Sequence, residues 1–274
     1  MSATIEAIIP TMPEALPVVM PDKYYHFLET EESNPELAKA AWQIHAEGYI
    51  AMGFVKPEAI TEEGFLPADI DKARGSNVNY MLALSSENQD DCATMRVVSV
   101  PEGGSFRDLP AYGLTRDILP DESLSLLEEL EDQGRAIKEI SALARSRAAS
   151  PASIFELFRK SIHEALGKDE AWFFTMVSST HETLIPRLTS ENFQVLGDDV
   201  KIDDERVGEG IALRPLMLRP DEFIENIYRG YLNAGNEVDK RRLAKSLIFY
   251  TDGLAKEQMT ALVFDERTRL TAVR

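Results

Sequence analysis

Few side chains in this chain are of a type and setting that could do chemistry. Glu139 stands in the run IKEISALARS (residues 137–146), at a predicted strand end beside a loop. A carboxylate there can act as a general base, taking the proton of an ammonium group; the plain alternative is a surface acid paired with Lys138 or Arg135. Arg96 lies inside ATMRVV (93–98), where a guanidinium among apolar strand residues is costly unless it is paired. Asp69, Asp71 and Glu139 are its candidate salt-bridge partners, and holding a substrate carboxylate is its functional alternative. Arg145 and Arg147 come just before Ser150 and Pro151, which suit the opening of a helix. Two guanidiniums beside unpaired helix amides can seat a phosphate, and a solvated polar loop is the competing reading.

The elements that must position these groups follow from periodicity and punctuation. Residues 23–30 are aromatic-rich and read as a strand. Ser33, Pro35 and Glu36 form a capping-box start for an amphipathic helix over 34–50, with Leu37, Ala41, Ile44 and Gly48 at helical spacing. Residues 56–77 read as a loop. Strands are predicted at 78–85 and 92–100, joined by the polar turn 86–91, and a further loop carries Gly103, Gly104 and Gly113. Pro120 and Asp121 open a short helix with Leu124, Leu127 and Leu130 on one face, and 137–144 is a buried strand. A strong helix follows, capped by Ser150, lined by Ile154, Phe158, Ile162 and Ala165, and ended by Gly167. Residues 171–177 form a nearly continuous apolar strand of the mid-sheet kind. Ser179 and Glu182 cap another helix, and strands are predicted at 193–196 and 210–218. Two helices close the pattern, one carrying Phe223, Ile227 and Tyr231, the other Leu243, Leu247, Tyr250 and Leu254. The strand–helix–strand–helix–strand run over 137–218 argues for an α/β sandwich with a mixed sheet.

Composition narrows the function classes. The 274 residues hold 47 Asp and Glu against 29 Lys and Arg, a net charge of −18, which disfavours phosphate backbones and anionic membranes. The single cysteine, Cys92, cannot pair within the chain, so no internal disulfide forms and a reducing cytoplasm is the expected setting. Four histidines, none spaced i, i+4, argue against a metal site, and His163 on a core-facing helix reads as structural. There is no Walker loop, GxGxxG, HExxH, GxSxG or EF-hand loop. Residues 1–22, with prolines at 10, 13, 17 and 21, read as an extended arm without a targeting segment, and no run reaches the roughly 18 apolar residues of a membrane span.

Several of these blocks, taken in order, form a recognisable pattern. The block from Thr94 to Asp198 resembles the acyl-homoserine lactone synthases and the long-chain N-acyl amino acid synthases, two branches of the GNAT acyltransferase fold. ATMRVV resembles their strand with a functional Arg, and RDLP (107–110) and DILP (117–120) resemble the loop and helix that follow. IKEISALARS is similar to the strand carrying the family's Glu, IFELFRKSIHEAL (154–166) to its long helix, and WFFTMVSSTHETLIPRL (172–188) to the next strand and helix. AEGYIAMGF (46–54) with Asp69 and Asp71 is similar to the family's first helix and flexible loop. The chain departs from the pattern in carrying Trp42, His45 and Tyr49 in place of an Arg–Tyr start, and Ala142 where the lactone synthases have Arg. These departures bear on the lactone product more than on acyl transfer. The place of the glycine-rich pyrophosphate loop of acetyl-CoA users is taken by Arg145, Ser146, Arg147, Ala148, Ala149 and Ser150.

The resemblance implies a GNAT-like α/β/α sandwich with a mixed, mostly antiparallel sheet over 23–220; the helical pattern that follows it is expected to form a C-terminal extension over 221–274 packed on the same domain. It implies an N-acyltransferase that moves a fatty acyl group from acyl carrier protein or acyl-CoA to the amine of an amino acid or related metabolite, with no resident cofactor. A short-chain acetyl-CoA-dependent N-acetyltransferase and a non-catalytic binding module are the alternatives. Glu139 and Arg96 are then the expected catalytic pair. Arg145, Arg147 and Ser150 would hold the donor's phosphopantetheine phosphate, Trp172 and Phe174 would line an acyl tunnel unless they are plain core, and Asp69 and Asp71 would face the acceptor. Residues 135–168 carry seven cations (135, 138, 145, 147, 159, 160, 168) among acids at 139, 156 and 164, with two more just beyond at 169 and 170, a local reversal of charge that would let an acidic carrier protein dock. The end helices, 221–255, are candidates for a homodimer surface or a cover for the sheet.

Overall fold

A computed structural model describes residues 25–30, 35–67, 77–85, 91–177 and 193–254. An eight-stranded sheet forms the middle layer. Its strands are β1 (Tyr25–Thr30), β2 (Val78–Ser85), β3 (Asp91–Ser99), β4 (Ala136–Arg145), β5 (Glu170–Val177), β6 (Gln194–Val195), β7 (Val200–Lys201) and β8 (Ala212–Leu218). The order is β1-β2-β3-β4-β5-β8-β6, with β7 pairing farther along the outer edge of β8. Every pairing is antiparallel except β4 with β5. That parallel pair needs a crossover, and the helix between the two strands supplies it.

Among the described residues, six α-helices flank the sheet: α1 (Pro35–Ala51), α2 (Pro110–Thr115), α3 (Asp121–Asp132), α4 (Ala152–Ala165), α5 (Pro220–Asn233) and α6 (Glu237–Thr251). Side chains of a strand alternate between faces, and β5 shows the division. Ala171 and Phe173 join the core beneath α1, α2 and α3, with Ile44, Tyr80, Phe106 and Leu127. Trp172 and Phe174 join the core beneath α4, α5 and α6, with Leu157, Phe158, Ile162, Phe223, Leu247 and Tyr250. The result is an α/β/α sandwich whose sheet is mixed and mostly antiparallel, with two added C-terminal helices, as the sequence implies.

Local details differ from the sequence reading. The stretch read as a glycine-bearing loop contains a one-turn 3-10 helix (Phe106–Asp108) and α2. Ser105 closes a capping box on the former, its Oγ accepting from the Arg107 amide while its own amide donates to Asp108, and Pro110 opens the latter. β7 is an unexpected short strand, and α6 stops at Thr251, before Leu254. The expected arm over 1–22 and the helix begun by Ser179 and Glu182 fall outside the described residues. No helix among the described residues is long and apolar enough to cross a membrane.

Candidate functional site

The site is built on the sheet face beneath α1 and α2. Strand register brings it together: Arg96 on β3 lies opposite Tyr80 on β2 and Ser141 on β4, while Glu139 lies between Val98 on β3 and Phe173 on β5. Glu139 is therefore in the interior of a ten-residue strand, not at a strand end, and it is only 2% exposed. The surface-acid reading fails on the same observation. Arg135 pairs with Asp169 and Lys138 with Glu170, so neither is the partner of Glu139.

The partner is Arg96, whose Nη2 lies 3.4 Å from Glu139 Oε1, with both side chains buried. Ser141 completes the arrangement. Its hydroxyl donates to Glu139 Oε1 at 2.8 Å and accepts from Arg96 Nε at 3.0 Å and Nη2 at 2.8 Å. The amide of Ala111, in the first turn of α2, donates to Glu139 Oε2 at 2.7 Å. A buried charge pair is stable only with such extra hydrogen bonds, and here they come from two elements, β4 through Ser141 and α2 through Ala111. Among the described residues, Oε2 accepts only the Ala111 amide, which leaves it acceptor capacity for a further proton or donor. Sequence reasoning missed both Ser141 and Ala111: a serine two places from a glutamate is unremarkable by type, and a backbone amide has no side-chain signature. Asp69 and Asp71, the other candidate partners, lie outside the described residues.

β4 is irregular beside this cluster. Thr94 pairs with Ala144 and Arg96 with Ser141, so β4 carries one extra residue between them, and Ala142 sits at φ +52°. A bulge of this kind re-aims the strand, at a strain of roughly 1–2 kcal/mol for a non-glycine residue in the left-handed region. The pairing of β4 with β5 ends at Ile140 and Phe174, so the two strands are unpaired beyond that point. The chain leaves β4 through the loop 146–151 and enters α4, where Ser150 Oγ accepts from the Ala152 amide at 3.2 Å. Gly48 of α1 faces this junction, and a Cβ there would lie 3.0 Å from Ala144 Cβ and 3.2 Å from the Arg145 carbonyl.

The loop arginines do not act as an equal pair. Arg145 is half-buried and its Nη1 donates to the carbonyls of Ala149 (2.7 Å) and Ser146 (3.2 Å), whereas Arg147 and Ser150 are exposed. Trp172 and Phe174, 3% and 4% exposed, belong to a packed aromatic cluster. Phe158 touches Trp172, Phe193, Phe223 and Tyr250 at ring separations of 5.8–6.4 Å, and Phe174 lies 5.4 Å from Phe193.

The cationic stretch over 135–168 is also less of a surface than its sequence suggests. Arg135 and Lys138 are paired as above, Lys160 pairs with Glu164, and Arg159 is buried beneath α6. There Arg159 pairs with Glu156 at 2.8 Å and donates to the carbonyl of Asp252 at 3.0 Å. His163 is structural, its Nε2–H donating to the Tyr250 carbonyl at 2.7 Å. Burial holds its pKa down at about 4, and it raises Glu156 to about 7, reinforced by Asp252.

No protein-family model matches the chain, and no curated protein matches it. Solved structures do. FeeM, an N-acyl amino acid synthase from uncultured soil microbes, is 17% identical and superposes with a TM-score of 0.52 over 73% of this chain and 94% of its own. BjaI, a CoA-dependent acyl-homoserine lactone synthase solved with SAM and isopentyl-CoA, is 12% identical with a TM-score of 0.49 over 81% and 98%. MesI, another CoA-dependent acyl-homoserine lactone synthase, is 13% identical with a TM-score of 0.48 over 77% and 97%. The architecture of the chain is that of the GNAT acyltransferase fold.

Proposed function

We propose that the protein is an N-acyltransferase that moves a fatty acyl group from acyl carrier protein or acyl-CoA to the amine of an amino acid or related metabolite. The observation that carries this reading is the buried Glu139, fixed by Arg96, Ser141 and the Ala111 amide beside the point where β4 and β5 part. In this scheme the acceptor's ammonium gives a proton to Glu139 Oε2, directly or through one water. The freed amine attacks the thioester carbonyl, the C–N bond forms, the C–S bond breaks, and the leaving thiolate takes up a proton. Arg96 holds Glu139 in place and keeps the buried charge compensated. Arg147, Ser150 and the amides leading into α4 hold the donor's phosphate. Asp69 and Asp71 face the acceptor in this reading.

A second reading is favoured by the packing around Trp172 and Phe174. Their rings are already filled in by Phe158 and Phe193, which suits a short acyl group better than a long one. Mass spectrometry of extracts from cells expressing the protein separates these readings. The proposal predicts a new N-acylated amine, absent from an empty control and from a Glu139→Gln variant, and its mass gives the acyl length. Extracts of expressing cells that match the control would overturn it.

A further inference from the structure

We infer that Arg145 is a positioning residue: it holds the 146–149 loop in shape from within, and the donor's anion is met by Arg147 and by backbone amides. This rests on the donor site proposed above and gives Arg145, which that site leaves out, the task of shaping it. A guanidinium that binds a phosphate points its N–H groups outward. The Nη1 of Arg145 instead donates to two carbonyls of its own loop, Ser146 and Ala149. The loop's internal backbone bond, Ala149 N–H to Ser146 O, is long at 3.2 Å, so the shorter 2.7 Å contact from Arg145 carries much of the closure.

Two further observations fit this role. The first is the set of amides that the fold leaves over. Those of Arg147, Ala148 and Ser150 find no acceptor among the described residues, while the carbonyls of Ser146 and Ala149 are drawn to the guanidinium. Turning carbonyls toward a cation inside the loop removes negative dipole ends from the surface an anion would approach. The second is composition. The loop holds Ala148 and Ala149 and no glycine, so its shape does not come from residues free to adopt left-handed backbone, and neither alanine has a positive φ. A side-chain clamp does for this loop what glycines do elsewhere. Behind it, Gly48 packs against Ala144 and the Arg145 carbonyl, which fixes the base of the clamp.

The test compares Arg145→Ala, Arg145→Lys and Arg147→Ala by hydrogen exchange and by steady-state kinetics with an acyl-CoA donor. A lysine keeps the charge but lacks the planar guanidinium. Exchange of the Ala149 amide, which donates to the Ser146 carbonyl, is expected to rise by about tenfold or more in both Arg145 variants and to stay at the wild-type rate in Arg147→Ala, with α4 beyond its first turn unchanged in all three. Donor KM is expected to rise about ten- to hundredfold in Arg145→Ala, to remain raised in Arg145→Lys, and to be nearly independent of salt. The KM of Arg147→Ala should rise less and converge on wild type at high salt, because an exposed contact is screened over about 8–10 Å. Unchanged exchange in Arg145→Ala overturns the inference, as does restoration of the wild-type KM by lysine. Exchange needs no substrate, so rapid exchange in the Arg145 variants of a protein that transfers no acyl group would uphold the clamp and overturn the proposed reaction alone.

Discussion

Replacing Arg96 by Met tests the buried charge pair on which the site is built. Met fills most of the volume of the arginine stem and removes the guanidinium. That strands the Glu139 carboxylate, 2% exposed, with only the Ser141 hydroxyl and the Ala111 amide as donors. At 3.4 Å and an effective dielectric of about 20, the lost attraction is about 5 kcal/mol before relaxation. Breaking one side of a buried pair costs about 3–5 kcal/mol in practice. Against a total stability of about 5–15 kcal/mol for a domain, this is a large loss. Urea unfolding followed by tryptophan fluorescence should show the midpoint falling by about 1–2 M, taking a slope near 2–3 kcal/mol/M. Adding Glu139→Gln removes the stranded charge, so the double variant should recover at least about 1 kcal/mol relative to Arg96→Met. A single-variant loss below about 1 kcal/mol, or a double variant less stable than the single, would refute the argument that the two charges compensate each other.

Three further outcomes follow from the packing and from the titrating groups. Phe158→Ala should destabilise by about 3–5 kcal/mol in calorimetry or denaturation, since the ring is 1% exposed and lies at the centre of the aromatic cluster; a loss under 1 kcal/mol would mean that the cluster closes around the gap. A Cβ on Gly208 would collide with the Gly53 carbonyl oxygen, so Gly208→Ala should separate the strip where Val55 bridges Val207, read as faster hydrogen exchange at Lys56 and Gly208. The pair beneath α6 gives opposite pH slopes. His163, lowered from 6.5 to about 4, binds a proton in the unfolded chain alone across that window, so its contribution to stability is present above pH 6.5 and is lost as pH falls toward 4. Glu156, raised from 4.5 to about 7, keeps its proton in the folded chain, so its contribution is present below pH 4.5 and is lost as pH rises to 7. Relative to wild type, the stability of His163→Gln should fall with rising pH between 4 and 6.5, and that of Glu156→Gln should rise between 4.5 and 7; parallel profiles for the two variants would contradict both assignments.

How much of this was legible in the sequence differs from one residue to the next. The helix over 34–50, the strands at 78–85 and 137–144 and the helix closed by Gly167 follow from periodicity and end signals, and they stand close to where those signals put them. The helix α2 was not legible: six residues with Gly113 inside are too short for a periodic pattern, and α2 is held by Pro110 and by tertiary contact. Arg96 was readable as a residue needing a partner, and Glu139 was one of three candidates. What could not be read was that Ser141 bridges them, because that depends on the β4 bulge setting register with β3. The cationic stretch shows the same limit from the other side. Counting Arg159 among seven cations says nothing of Glu156 or of the α6 terminus, and those contacts take it off the surface.

The most direct test of the account follows thiol release from a purified acyl thioester, with an amine present and absent, for wild type and for Glu139→Gln. The account predicts amine-dependent release with a matching N-acyl product by mass spectrometry. In Glu139→Gln the rate should fall by about 10²-fold or more while donor binding, measured separately by titration, stays within a few-fold of wild type. The same turnover in both proteins would contradict the role of Glu139, and thiol release that never depends on an amine would contradict N-acyl transfer itself.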